Sequence, residues 1–176
     1  MSNTILDQQF VNLIARARVS PYFDFERALC VAMESHMQRM SAISDVISPS
    51  FRRSGQGRGV TSVAKIFSWP SEELCACLHK SETDHLYIFD ASKKDLSKIE
   101  SREPILRSID AGDRIVILNE WAGRYVDQNF LENLFFEYRD NTNEFLEQEI
   151  VMQVCVRARG KEQAGQKDFI ASVLTA

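Results

Sequence analysis

Two glutamates, Glu147 and Glu149, stand two residues apart in the stretch FLEQEIVMQV (145–154), at the entrance of an apolar run. The β-branched residues of that run read as a strand over Glu149–Arg157, and in an extended chain both carboxyls then point to one face. Paired carboxyls of this kind suit general acid–base work and the stabilisation of a developing positive charge. Acid-rich strand entrances also arise simply because charge keeps an edge strand from pairing with another chain. A second chemical candidate is SPSFRRSGQGRG (48–59), with three arginines among three glycines and three serines. Guanidinium forks and glycine amides together can hold a phosphate. The segment lacks the Gly-Lys-Ser/Thr ending of a nucleotide-hydrolysing loop, and a solvated, mobile basic loop is its default reading. A third candidate is the set Cys75, Cys77, His79 and His85. Cys75 and His79 would share a helix face, but Cys77 would face away and the spacing fits no familiar zinc pattern. Core packing accounts for these residues better, so no metal is expected. No Gly-x-Ser-x-Gly elbow, His-Glu-x-x-His helix or Cys-x-x-Cys pair occurs in the chain.

These residues need elements to hold them. The chain has 176 residues, 44% of them apolar and 26% charged, which fits one compact domain over 1–176 with a core of its own. A net charge of −4 argues against bulk nucleic-acid binding. No apolar run reaches the roughly 20 residues of a membrane span, and MSNTILDQQF has no signal-peptide pattern. Cys30, Cys75, Cys77 and Cys155 fall inside expected helices or strands, as reduced, buried thiols of a cytoplasmic protein do.

Apolar residues at 6, 10, 13 and 14 predict a helix over Thr4–Arg18, and Ser20-Pro21 opens a second whose apolar face runs from Tyr22 to Met40. His36 lies on that stripe as a packed or half-exposed side chain. Val60–Phe67, His85–Asp90 and Arg114–Leu118 read as strands. Short helices are expected after Pro70, after Ser92 and over Pro104–Ile109, and Asp127 caps a helix with apolar residues at 130, 131, 134, 135 and 138. Phe169–Leu174 adds a last short element. The fold class is α+β: a helical N-terminal layer packed on a mixed or antiparallel sheet, with flexible segments at 48–59 and 159–167.

With the elements in place, EQEIVM resembles the Glu-Gln-Glu segment that ends ADP-ribosyltransferase domains. KIFSWPSEELCACLHKSETDHLYIFDAS resembles their strand–helix–strand unit, loosely in the manner of the FRG-domain branch, with Ser-Trp-Pro where the superfamily has Ser-Thr-Ser. The resemblance implies NAD as cofactor, Glu149 as the catalytic carboxylate and Glu147 as its helper at the acceptor. It implies Ser68 at the end of the middle strand, and an early arginine on the NAD phosphates. Arg18 is eligible for that place, as are Arg16, Arg52 and Arg53. The acceptor would be an unidentified macromolecule, as for a toxin, an effector or a phage-defence protein. The competing class is a non-enzymatic binder, immunity or regulatory factor. Its helix NFLENLFFEY (129–138) would dock a partner protein or a second copy of the chain.

Overall fold

The structure is a computed structural model, and it describes residues 2–20, 24, 27–35, 62–68, 74–159 and 169–176. Two helices come first, α1 (Ser2–Val19) and α2 (helical over 27–35). Six strands follow: β1 (Val63–Ser68), β2 (Leu74–His79), β3 (His85–Asp90), β4 (Asp95–Ile99), β5 (Ile105–Ser108) and β6 (Arg114–Leu118). Then come α3 (Glu120–Tyr125), α4 (Gln128–Glu137) and α5 (Asn143–Ala158), and β7 (Ala171–Thr175) closes the chain.

The strands form two antiparallel sheets, in the orders β1-β2-β5 and β4-β3-β6-β7. Side-chain alternation along each strand decides what the sheets face, because successive residues point to opposite sides. On β3, Leu86 and Ile88 join Ile115 and Ile117 of β6 and Ala76 and Leu78 of β2 in a core between the sheets. The neighbouring residues Tyr87, Phe89, Val116 and Leu118 face the other way, onto Leu131, Leu134 and Phe135 of α4 and Leu146, Ile150 and Val154 of α5. On β2 the other face carries Cys75 and Cys77, which meet Phe10 of α1 and Leu29 and Met33 of α2. Four layers result: α1 and α2, the three-stranded sheet, the four-stranded sheet, then α3–α5.

This is the α+β architecture with an N-terminal helical layer that the sequence predicts, and its sheets are antiparallel. Strands β1, β3, β6 and β7 and helices α1 and α4 fall where expected, with the Asp127 carboxylate accepting from the Asn129 N–H at 3.0 Å. Four assignments need correction. The stretch after Pro70 contains strand β2, because LCACLH is buried on both faces and shows no alternation of polarity. The stretch after Ser92 is a tight turn leading into β4, in which Lys94 adopts a positive φ of 56°. Pro104–Ile109 is the edge strand β5, and Glu149–Arg157 lies inside helix α5. Helix α3 has no counterpart among the expected elements. The 48–59 segment and His36 lie outside the described residues, as do residues 160–167 of the expected flexible tail.

Candidate functional site

Helix α5 begins at Thr142, whose hydroxyl accepts from the Phe145 N–H at 3.3 Å. Residues two apart on a helix are about 200° apart around its axis, so Glu147 and Glu149 diverge. Glu147 turns toward the sheet, and its Oε1 accepts from the backbone N–H of Val173 at 2.8 Å. It thereby covers one donor of β7, the outermost strand of its sheet. Glu149 turns toward α4. Ser68 ends β1, opposite Leu74, in the three-stranded sheet, so the four-stranded sheet separates it from α5. Arg18 lies in α1, Arg16 is exposed there, and Arg52 and Arg53 lie outside the described residues. Glu149 stands on α5, and the elements that carry Ser68, Arg16 and Arg18, β1 and α1, belong to the layers on the other side of the four-stranded sheet.

Glu149 instead belongs to a groove of about 420 Å³ between α4 and α5. Phe130, Leu134 and Tyr138 of the α4 segment supply its apolar surface, and Asp127, Glu137 and Glu149 its acidic rim. The walls are held firmly. Asp127 pairs with Arg157 at 2.5 Å, tying the start of α4 to the end of α5. At the other end, the buried guanidinium of Arg114 donates to the carbonyls of Tyr138 and Arg139, where α4 stops, and lies over the Phe135 ring. Burial lowers the pKa of Arg114, with nearby Asp140 acting in the opposite direction. Tyr138 and Phe145 meet ring to ring at 5.3 Å across the connection. Asp127 is thus neutralised, while no cation among the described residues pairs with Glu137 or Glu149. The aromatic stripe of α4 was visible in the sequence. The acidic rim was not, because it takes one residue from each of three turns on two helices.

The other polar groups of the interior serve the fold. Asp84 accepts from the Ser62 N–H at 2.7 Å and its hydroxyl at 2.8 Å. Asp113 accepts from the N–H groups of Ala91 at 2.9 Å and Asp110 at 3.0 Å, joining two turns. Asn119, almost fully buried, accepts with one oxygen from Ala122 of α3 at 3.0 Å and from Ile170, just before β7, at 3.2 Å. Burial, with Cys30 nearby, pushes the Cys77 thiol up to about 12, so it packs as a protonated apolar group beside Met33.

No family model matches the sequence, and no curated protein matches it. Two solved structures share the layering. The serine/threonine phosphatase PstP/Ppp of Mycobacterium tuberculosis matches with a TM-score of 0.51 at 12% identity, over 98% of this chain and 81% of that one. The manganese-soaked phosphatase domain of the Bacillus subtilis cell-fate determinant SpoIIE matches with a TM-score of 0.51 at 10% identity, over 95% of this chain and 71% of that one. At such identities the likeness is one of fold. It overturns the ADP-ribosyltransferase resemblance, and with it the NAD cofactor and the transferase activity that the resemblance implied. The Glu-Gln-Glu spacing puts both carboxyls on one face only in a strand, and the segment is helical. The manganese-soaked relative raises the question of a metal centre. Among the described residues no three of His, Cys, Asp and Glu stand together so as to hold an ion, and Asp84, Asp113 and Glu147 are committed to backbone N–H groups. These residues do not fit a metal centre. The likeness to these phosphatase domains is one of fold alone.

Proposed function

We propose that this chain is a phosphatase-fold domain that works by recognition. It binds a partner protein in the groove between α4 and α5 and performs no phosphoester hydrolysis with its described residues. The observation that carries this reading is the groove itself, an apolar floor of Phe130 and Leu134 rimmed by Glu137 and Glu149, which lack cationic partners among the described residues. An apolar floor with a negative rim suits a segment that presents an aliphatic or aromatic anchor flanked by lysine or arginine. A phosphorylated segment would be repelled, since phosphate brings −1.5 to −2 charges to a rim already negative.

The test is a titration of the purified chain with two labelled amphipathic peptides of equal length, one of leucine and lysine, one of leucine and glutamate. The basic peptide should bind, more weakly at high salt, and the acidic peptide should not. The double variant Glu137→Gln, Glu149→Gln should weaken binding about fivefold or more, at roughly 0.5–1 kcal/mol for each partly exposed charge. Glu100→Gln with Glu103→Gln, the same charge change at residues that do not line the groove, should leave it unchanged. Equal losses in both double variants would show attraction to net charge alone and sink the groove. Manganese-dependent hydrolysis of p-nitrophenyl phosphate by the wild type, above a metal-free blank, would overturn the non-hydrolytic half.

A further inference from the structure

Helix α5 carries more apolar surface than the core uses. Leu146, Ile150, Val154 and Ala158 recur at every fourth residue and are buried against the sheet. On the opposite side, Gln148, Met152, Cys155 and Arg159 recur at spacings of four, three and four, with Val156 beside them. That is the period of a helix seam made to meet another helix. Met152 is 56% exposed and Val156 58%, and Cys155 is exposed as well. A shallow depression lined by Glu144, Glu147, Gln148, Val151 and Met152 runs along the flank of this face that turns toward β7.

The charges at the ends of the seam identify what fits it. Glu144 stands eight residues before Met152 and Arg159 seven after it (152 − 144 = 8; 159 − 152 = 7). At 1.5 Å per residue these are about 12 and 10.5 Å along the axis. Two copies of α5 crossing antiparallel at Met152 would therefore set each Arg159 beside the other's Glu144, twice, by symmetry. Neither side chain has an ion-pair partner among the described residues. We infer that the outer face of α5 is a homodimer interface, with Met152 at the two-fold axis, Val156 against the partner's Gln148, and Glu144–Arg159 pairs closing both ends. This inference stands whether or not the groove binds a basic segment.

A single helix face about 22 Å long offers well under the ~800 Å² per partner of a standard interface, so the association is weak and concentration-dependent. Sedimentation velocity from about 5 to 500 µM should show a monomer–dimer equilibrium within that range. Met152→Glu should leave a monomer throughout, with its circular-dichroism melting curve unchanged because Met152 is not in the core. Glu144→Arg and Arg159→Glu should each weaken the dimer about tenfold, since each juxtaposes two like pairs. The double variant Glu144→Arg, Arg159→Glu should restore it, because the swap rebuilds both pairs only in the antiparallel arrangement. A wild-type chain that stays monomeric at 500 µM would overturn the inference. So would a dimer indifferent to Met152→Glu, or one that the double swap fails to restore.

Discussion

His85 and His79 show how burial at single residues becomes a property of stability. Burial lowers the pKa of His85, and Lys98 and Lys80 push it further the same way. His79 is lowered by burial too, with partial opposition from Glu34. In the unfolded chain both rings titrate near their ordinary value of about 6.5. As pH falls through that value, the unfolded chain takes up protons that the folded chain does not, so protonation favours unfolding. The stability held by the neutral rings is complete above about pH 6.5–7 and is lost as the pH drops toward their depressed folded values. Urea midpoints should therefore be lower at pH 5.5 than at pH 7.5, and His85→Gln, which cannot titrate, should narrow the difference. A midpoint that is unchanged or rises at pH 5.5 would contradict the buried, neutral placement of these rings.

Helix α3 comes close to β3 at a single glycine. A Cβ placed on Gly123 would lie 2.1 Å from Cδ2 of His85 and 2.3 Å from its Cγ, so the helix approaches the strand only because residue 123 has no side chain. Gly123→Ala should destabilise the fold by about 1–3 kcal/mol, the usual cost of overpacking. His85→Ala should be mildly destabilising alone, yet should relieve most of the Gly123→Ala penalty when the two are combined. A double-mutant cycle by urea denaturation measures that coupling, and additivity would deny the contact. Elements differed in how openly the sequence displayed them. HLYIFD and RIVIL were legible as strands, since short, β-branched or aromatic runs between turn residues have few other uses. LCACLH and EIVMQVCV were exchanged, strand for helix and helix for strand. The first is a central strand buried on both faces, so it shows no period of two. The second is rich in β-branched residues, yet it lies as a helix across β7, with Ile150 and Val154 in the core. Tertiary burial decided both cases against local propensity. The candidate site shared that fate. The α4 half of the groove could be seen as an aromatic stripe, whereas the place of Glu149 depends on α5 being a helix.

Across the whole molecule, the three cores are stacked and do not merge: helices on sheet, sheet on sheet, sheet on helices. A contiguous apolar run announces burial on both faces without saying which sheet it joins, so this stacking was beyond the reach of sequence patterns. The arrangement predicts where the fold opens last. Strand β6 is buried at all five positions and is paired on both sides, to β3 and β7. Strands β4 and β5 are each paired on one side only, and β5 exposes Arg107 and Ser108. Amide exchange requires local opening, and a strand held from both sides and both faces opens only with the whole structure. Under native conditions, the amides of β3 and β6 that bond within the sheet should be the slowest to exchange, near the global unfolding limit. Those of β4 and β5 should exchange at least about tenfold faster, an opening free energy lower by ~1.4 kcal/mol or more. Mass-spectrometric exchange on peptides covering 85–90, 95–99, 105–108 and 114–118 resolves these strands. If the β5 peptide proved as protected as the β6 peptide, the two sheets would open as one unit, and the layers would be energetically inseparable despite their separate cores.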